Sequence, residues 1–252
     1  DAAVRFKSNV ERLSNGDVKV QIFPARQLGD VKELVQGVQF GTVDMSVNSS
    51  SAYASIAPGV DAFQLPWLIE SYAHFAKLAV TPETRKIFSA VEKHDAVALG
   101  LYDGGRRHFL TIKKPVESVE DFAGLKTRVA PSRLFLAIWK AVGTNPTPMA
   151  YGEVYSALET GTLDAVEINI TSIESEKYHE IAKNLTLTGQ YFWPGLLVMN
   201  KAKFDSLTKA QQDAIRKAAD EAVEPQVMAI EAQDKKLLVD FKSRGMKIIE
   251  PS

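Results

Sequence analysis

Arg128 ends the short apolar segment LKTRV (125–129), and an apolar, helix-like run follows it beyond Pro131. Its guanidinium stays charged at every physiological pH, so at the carboxyl end of a buried strand it needs an anion, and its planar fork matches a carboxylate. A bound organic acid would supply that anion. There are two alternatives. An acidic side chain of the protein itself could pair with Arg128, or the guanidinium could reach solvent while the aliphatic part of the side chain stays buried.

Two polar residues occupy the corresponding place at the end of a second segment, LDAVEIN (163–169). Open α/β sheets bind ligands at the carboxyl ends of their strands, so Glu167 and Asn169 are expected at the same rim as Arg128, where they would orient ligand hydroxyls. The competing interpretation is local, because Asn169 and the hydroxyl residues after it are also suited to start a helix or a turn.

The segments NSSSAY (48–53) and YFWP (191–194) contribute further candidates. Ser51 belongs to a cluster of small hydroxyls after a predicted strand, a pattern that any serine-rich loop also shows. Phe192 and Trp193 precede another predicted strand. There they would either line a ligand site or fill a core, which is the commoner place for aromatic rings.

Arg106 and Arg107 follow a pair of glycines, Gly104 and Gly105, at the end of the apolar run AVALGLYDGG (96–105). Adjacent glycines permit unusual backbone conformations, so the run is expected to be a strand that passes from one domain to another. The two arginines add positive charge at that point. The ordinary alternative is that both arginines lie on the surface with their guanidinium groups in water.

The residue patterns of enzymes are not found in this sequence. The four histidines, His74, His94, His108 and His179, lack the HxxxH and HxH spacings of metal sites, and the chain has no cysteine. The GxSxG, GxxxxGK(S/T) and GxGxxG patterns of hydrolases, P-loops and dinucleotide sites are also missing. We therefore expect neither a metal nor a cofactor.

Composition limits the partners of the chain. A net charge of -1 gives no general field for a polyanion, so nucleic acid is not expected as a partner. The longest apolar stretches, 96–102 and 192–199, are far shorter than the roughly 20 residues that span a bilayer. The chain begins at Asp1, as a trimmed product would, so a secretory signal peptide is expected to have been removed.

Hydrophobic periodicity predicts alternating helices and strands, and therefore an α/β fold. The expected elements are a helix carrying Val4, Phe6, Val10 and Leu13, a strand at 18–23, a helix from Asp30 to Gly41, strands at 96–105, 125–129 and 194–200, and a helix over 206–242 that Pro225 kinks or breaks.

The segments GTVDMSV (41–47) and GTLDAVE (161–167) each follow a predicted helix. Together with the matching order of elements around them, they favour an internal duplication. The second copy has a strand ahead of its first helix. The duplication therefore predicts an equivalent strand before residue 1, and an N-terminus that is incomplete.

Five segments, in order along the chain, resemble the DctP-like substrate-binding proteins of tripartite ATP-independent periplasmic (TRAP) transporters. They are VKVQIFPARQLGD (18–30), FQLPWL (63–68), DFAGLKTRV (121–129), YGEVYSALETGTLDAVE (151–167) and FDSLTKAQQDAI (204–215). The likeness covers nearly the whole chain. It implies a two-lobed fold of the periplasmic binding protein type II kind, with crossing strands and a long C-terminal helix. The two α/β domains, 1–104 with 194–232 and 105–193 with 233–252, would enclose a ligand cleft.

The resemblance also implies site residues. Arg128 falls on the family's carboxylate-binding arginine, and Tyr151 falls on an aromatic position at the start of its segment. The family's second cleft arginine falls on Arg107, with a one-residue difference in length that leaves Arg106 open. Where many members read D-G-x-E-N, this chain departs by having Ala165 and Ile168. The identity of the ligand therefore cannot be copied from one branch of the family.

The resemblance implies a periplasmic, monomeric protein without enzymatic activity. It would capture a hydroxy or sugar-type carboxylate by an arginine–carboxylate salt bridge and deliver it to the membrane permease subunits of a TRAP transporter. Two alternatives stay open. One is a small-acid lyase or deaminase-like enzyme on the same scaffold, with Glu167 as general base, and the other is a sensor lobe that feeds a receptor.

Overall fold

The computed structural model describes residues 2–251, in which helices and strands alternate along the chain. The α-helices are α1 (Ala2–Leu13), α2 (Val31–Phe40), α3 (Tyr72–Ala79), α4 (Pro82–Phe88), α5 (Arg133–Ala141), α6 (Val154–Glu159), α7 (Ile170–Ser175), α8 (Tyr178–Ile181), α9 (Lys201–Asp205) and α10 (Lys209–Ser243). The strands are β1 (Met45–Ser49), β2 (Ala96–Thr111), β3 (Lys126–Val129), β4 (Asn145–Pro148), β5 (Ala165–Asn169), β6 (Asn184–Thr186), β7 (Phe192–Asn200) and β8 (Lys247–Ile249). The predicted α/β class is confirmed.

The chain divides into two compact units. Unit 1 comprises residues 1–65, 69–103 and 194–229, and unit 2 comprises residues 66–68, 104–193 and 230–252. Strands β2 and β7 and helix α10 therefore each contribute residues to both units. The domain limits drawn from the sequence stay a prediction.

Unit 1 is built on the strand order β1-β7-β2, with β1 antiparallel to β7. Helix α2 begins and ends where its sequence predicts. The Asp30 side chain accepts a hydrogen bond from the backbone N–H of Val31, and Gly41 ends the helix with a left-handed φ of 77°. Buried residues of β2 and β7, such as Leu99 and Val198, form part of the core of this unit.

Unit 2 is built on the strand order β2-β5-β3-β4, with β6 pairing both β2 and β8. Strand β5 lies between β2, which is antiparallel to it, and β3, which is parallel to it. Two buried clusters pack in this unit. One includes Val166 and Ile168 of β5, and the other includes Ala165 of β5 and Phe109 of β2. Successive β5 residues thus serve different clusters, as the period of two in a strand requires.

The strand expected at 18–23 is not formed. Its residues alternate between half-buried and exposed positions, as a strand would, but they pair with no other strand among residues 2–251. In the second copy of the predicted duplication, the segment that would correspond is β4, which pairs with β3. The described residues of the first copy contain no equivalent of β3, so this segment has no backbone partner to complete a ladder.

Helix α10 runs without interruption across Pro225, so a break there is wrong, and a kink, the other possibility that the sequence left open, stays a prediction. Proline removes one backbone donor and crowds the carbonyl four residues before it, which weakens an isolated helix. Here Val223 and Val227, on either side of it, are almost completely buried. Their packing stabilises the helix through the proline. Within the described part of the chain, every helix is too short or too polar to cross a membrane.

Candidate ligand-binding site on unit 2

Three strands of unit 2 bring charged residues to one edge of its sheet. The antiparallel register sets Arg107 of β2 opposite Asn169 of β5, and Phe109 opposite Glu167. The parallel register sets Arg128 of β3 opposite Val166 of β5. Because β3 and β5 are parallel, their carboxyl ends share one edge of the sheet, which is the edge where open α/β sheets bind ligands. The structure thus brings together the strand-end residues that the sequence singled out.

Arg107 and Glu167 form a buried ion pair. Their side chains are 5% and 0% exposed, and Nε of Arg107 donates a hydrogen bond to Oε2 of Glu167. Nη2 of Arg107 also donates to the backbone carbonyl of Glu167 at 2.6 Å. Burial alone would lower the pKa of Arg107, but the carboxylate of Glu167 outweighs it and raises that pKa. The guanidinium of Arg107 therefore stays charged inside the unit.

Glu167 keeps one oxygen available. Oε1 is buried, and no atom of residues 2–251 forms a hydrogen bond with it. A buried acceptor without a donor costs on the order of 1 to 3 kcal/mol, so this oxygen favours a donor brought by another molecule. A ligand hydroxyl would supply such a donor.

Arg128 is only 3% exposed, and it forms no ion pair with an acidic side chain of residues 2–251. Its Nε and Nη2 both donate to the backbone carbonyl of Met149, at 3.2 and 3.0 Å, and its guanidinium lies 5.6 Å from the centre of the Tyr151 ring. Burial lowers its pKa, and the neighbouring Glu167 charge partly opposes that effect. Among the described residues, no carboxylate lies within 4.0 Å of Arg128. The groups in direct contact with its guanidinium are thus a neutral carbonyl and an aromatic face, and the charge of Glu167 acts on it from a greater distance.

Asn169 is occupied by local hydrogen bonds. Its Nδ2 donates to the carbonyl of Gly104 at 2.5 Å and to Oγ1 of Thr171 at 2.7 Å, and its Oδ1 accepts from Ser172 at 2.9 Å. It precedes α7 at the helix-start position, but its side chain accepts no backbone cap bond there. The contacts with Thr171 and Ser172 are those of the local, turn-forming interpretation, whereas Gly104 lies 65 residues away along the chain. Its role in sorting hydroxyls stays a prediction.

The remaining candidates lie in different settings. Ser51 belongs to unit 1, in a 3-10 helix, and its Oγ lies 2.9 Å from that of Ser49. Phe192 is fully buried beneath the guanidinium of Arg106, which lies 4.8 Å from its ring centre. Trp193 is half-buried and covers Gly104, where an added Cβ would lie 2.6 Å from the indole.

Two buried aromatic residues close to the site were missed from the sequence. Tyr191 is 2% exposed, and its hydroxyl accepts a hydrogen bond from Nε1 of Trp139 at 3.1 Å. Its backbone carbonyl accepts from the N–H of Arg107 at 2.8 Å. A buried tyrosine usually finds a polar partner for its hydroxyl, so its position beside Phe192 was a usable signal.

A metal ion has no evident ligands here. Among residues 2–251, no group of three or more His, Asp or Glu side chains is arranged to hold one. The polar chemistry of the edge consists of two guanidinium groups, one carboxylate and several backbone carbonyls. This set suits an organic anion that carries hydroxyls.

Comparison with known proteins agrees with this chemistry. The profile of the DctP family, described as bacterial extracellular solute-binding protein, family 7, matches residues 1–252. The 2,3-diketo-L-gulonate-binding periplasmic protein YiaO of Escherichia coli is 32% identical over 248 residues, which cover 98% of this chain and 76% of that protein.

Two solved structures are similar over nearly the whole chain. A TRAP periplasmic solute-binding protein of Bradyrhizobium in complex with α/β-D-galacturonate has a TM-score of 0.94 and 33% identity, covering 100% of this chain and 84% of that one. A TRAP periplasmic solute-binding protein of Citrobacter koseri with bound D-glucuronate has a TM-score of 0.92 and 31% identity, covering 99% of this chain and 84% of that one. The chain therefore belongs to the DctP family of bacterial extracellular solute-binding proteins and is a periplasmic, two-lobed solute-binding protein of the TRAP type.

Proposed function

We propose that the chain captures a hydroxylated organic acid with one carboxylate, through a salt bridge to Arg128, and delivers it to the membrane subunits of a TRAP transporter. The observation that carries the proposal is the burial of Arg128, which is 3% exposed and whose hydrogen bonds within residues 2–251 go to one neutral carbonyl. A buried guanidinium is stable when a desolvated anion pairs with it. A ligand carboxylate would complete this site.

The charges at the edge of the sheet favour a monocarboxylate. Arg107 and Arg128 contribute two positive charges, and Glu167 contributes one negative charge that is already paired with Arg107. One positive charge is left without a counterion. A second carboxylate on the ligand would face Glu167 without a cation of its own, and that repulsion disfavours it.

The other contacts would recognise the body of the ligand. Oε1 of Glu167 would accept a hydrogen bond from a ligand hydroxyl. Tyr151 would pack against the carbon skeleton beside Arg128, with Phe192 or Trp193 as a further aromatic contact. Arg107 would act mainly by orienting Glu167. Ser51 stays a candidate from the sequence alone.

The ligands of similar proteins support this class. The names and structures of the relatives above record 2,3-diketo-L-gulonate, galacturonate and D-glucuronate. Each is a sugar acid with a single carboxylate and several oxygen substituents. We propose a ligand of this kind for the present chain, without a choice among the sugar stereoisomers.

We further propose that the protein is a monomer and performs no chemistry on its ligand. The enzyme alternative requires a free general base, whereas Glu167 is committed to Arg107. Incubation of the purified protein with sugar acids should leave them unchanged by chromatography, and size-exclusion chromatography should give the mass of one chain. Turnover of a bound acid would revive the enzyme interpretation.

The test of the site is isothermal titration of D-galacturonate and D-glucuronate into wild type and Arg128→Ala. Removing one partner of a desolvated charge pair costs about 2 to 5 kcal/mol, so affinity should fall by roughly 30-fold to several thousand-fold. Arg133→Ala is the matched control, because it removes the same charge from an exposed position on α5 of the same unit. Equal affinities of Arg128→Ala and wild type would refute the proposed salt bridge.

A further inference from the structure

The backbone carbonyl of Gly104 is held by two side chains at the end of β5. Nδ2 of Asn169 donates a hydrogen bond to it at 2.5 Å, and Oγ1 of Thr171, in the first turn of α7, donates to it at 2.9 Å. These two side chains also contact each other at 2.7 Å. Gly104 lies 65 and 67 residues from them along the chain, so the three residues, which we call the Gly104 clamp, join two separate segments of unit 2.

The Gly104 clamp lies where the backbone pairing of β2 with β5 ends. Arg107 and Asn169 are the final pair of this antiparallel register, because the chain leaves β5 at Asn169 and enters α7 at Ile170. The end of a strand pair opens more easily than its middle unless other contacts secure it. Hydrogen bonds from polar side chains to the backbone supply such contacts. The clamp therefore extends the pairing of the two strands beyond the last backbone pair.

The buried ion pair of the proposed site lies directly beside the clamp. Arg107 faces Asn169 across the two strands, and its side chain donates to the carboxylate and to the backbone carbonyl of Glu167, two residues before Asn169. The indole of Trp193 packs against Gly104 itself, where an added Cβ would lie 2.6 Å from its Cε3 atom. Both strands that carry the ion pair are thus fixed at the same end, and the position of their side chains depends on that end staying paired.

We propose that Thr171 is a positioning residue for ligand recognition: its hydroxyl closes the Gly104 clamp, which keeps the end of β2 paired with β5 and so holds Arg107 and Glu167 in place. The inference rests on the proposed function, in which Oε1 of Glu167 accepts a hydrogen bond from a ligand hydroxyl. Thr171 acts through the two strands and does not itself touch the ligand. Residues that support a site in this way reduce the ordering that ligand binding requires.

The first measurement is amide hydrogen exchange of the ligand-free protein, followed by NMR, for wild type and Thr171→Val. Valine keeps the branching of threonine but cannot donate a hydrogen bond. The amide of Arg107, which donates to the carbonyl of Tyr191 at 2.8 Å, should exchange about three- to tenfold faster in the variant. The amide of Ile112, which donates to the carbonyl of Asp164 at the opposite end of the same strands, should exchange as in wild type.

The second measurement is isothermal titration of the same proteins with D-galacturonate and D-glucuronate. Thr171→Val should weaken binding by about three- to tenfold, whereas Thr171→Ser, which restores the hydroxyl, should bind within about twofold of wild type. Thr160→Val is the matched control, because Thr160 also donates to a backbone carbonyl of unit 2, that of Ser156 at 2.8 Å. It should change neither the affinity nor the exchange of the Arg107 amide by more than about twofold.

Three results would overturn the inference. Unchanged affinity of Thr171→Val would show that the clamp does not serve binding, and weaker binding with unchanged exchange at Arg107 would show that Thr171 contacts the ligand directly. Equal acceleration of exchange at Arg107 and Ile112 would show a role in overall stability. Should Thr171→Val fail to fold, Thr171→Ala, which is smaller, allows the same comparisons.

The two proposals fail differently. Wild-type binding by Arg128→Ala sinks the proposed function, whereas loss of binding in that variant together with wild-type binding by Thr171→Val sinks the role of Thr171 alone.

Discussion

Buried charge is the feature that distinguishes unit 2 at the scale of single residues. Arg107 and Glu167 compensate each other, whereas Arg128 is compensated by a carbonyl and a ring face. Desolvating a guanidinium is expensive, and a fold that did so without use would be selected against for stability alone. The uncompensated charge is therefore the residue-level basis for expecting an anionic ligand.

His108 makes stability depend on pH. It is 7% exposed in β2, its Nδ1 accepts the backbone N–H of Gly189 at 3.1 Å, and burial, aided by the charge of Arg106, lowers its pKa to about 3. In the unfolded chain a histidine pKa is about 6.5, so between these values the unfolded state binds the extra proton. The stabilisation is complete above pH 6.5 and is lost as pH falls, by about 1.4 kcal/mol per pH unit.

Wild type should thus lose roughly 2 kcal/mol of unfolding free energy through His108 between pH 6.5 and pH 5. His108→Gln keeps an acceptor for Gly189 but cannot titrate. Between pH 6.5 and pH 5 its unfolding free energy should therefore fall by about 2 kcal/mol less than that of wild type. Urea denaturation of both proteins at pH 7.5, 6.5 and 5 measures the difference. The same pH dependence in both would show that His108 takes up its proton in the folded state.

At the scale of elements, backbone pairing decided which extended segments became strands. The segment 18–23 has a strand-like alternation but pairs with no strand in the described part of the chain, whereas β5 lies between two strands and is buried over its whole length. Periodicity reports which face of a segment is apolar, and it does not report whether a partner strand exists. The predicted limits of helix α2 are confirmed because its cap residues, Asp30 and Gly41, form their hydrogen bonds within the helix itself.

Gly105 in β2 should be intolerant of a side chain. Its φ is 105°, a conformation that favours glycine, and an added Cβ would lie 2.8 Å from Oδ2 of Asp234. Gly105→Ala should therefore lower the unfolding free energy by about 1 to 3 kcal/mol. Urea denaturation, followed by circular dichroism, measures it.

Gly59→Ala serves as the control for that change. An added Cβ there would lie 3.7 Å from Cγ2 of Ile87, an ordinary contact, and Gly59 is not among the glycines with positive φ. Its unfolding free energy should stay within about 1 kcal/mol of wild type. If the two alanine variants are equally stable, the backbone of β2 at Gly105 relaxes without cost.

At the scale of the whole molecule, ligand binding should appear as added stability. A ligand that binds the folded chain alone, present at 100 times its Kd, stabilises it by about 2.7 kcal/mol. For a chain of this size that corresponds to a rise in Tm of roughly 5 to 11 °C. A thermal-shift panel of organic acids should show this rise for a sugar acid with one carboxylate, and Arg128→Ala should show a rise of less than about 4 °C at the same concentration.

The same panel tests the charge argument. Succinate, with two carboxylates and no hydroxyl, should give a smaller shift than D-galacturonate or D-glucuronate, because its second charge finds no free cation at the edge of unit 2. A larger shift with succinate would contradict the preference for monocarboxylates, while leaving a role for Arg128 intact.

Much of this protein was accessible from its sequence alone. The α/β class, the limits of α2, the strands around Arg128 and Glu167 and the family resemblance all follow from local signals, namely caps, periods and short motifs read in order. These features depend on interactions between residues close together in the chain. They can therefore be detected in sequence windows of about a dozen residues.

The tertiary structure alone decided which charges meet. Arg107 and Glu167 are 60 residues apart, and Tyr191 and Trp139 are 52 apart, yet each pair is joined by a side-chain hydrogen bond. Strand register and helix packing determine such pairs, and a shift of one residue in a strand would have directed Arg107 or Glu167 to the other face of the sheet. For this reason the sequence could propose Arg128, Glu167 and Asn169 as neighbours. It could not show that Glu167 already has a cation, that Asn169 is satisfied locally, or that Arg128 has no carboxylate partner among the described residues.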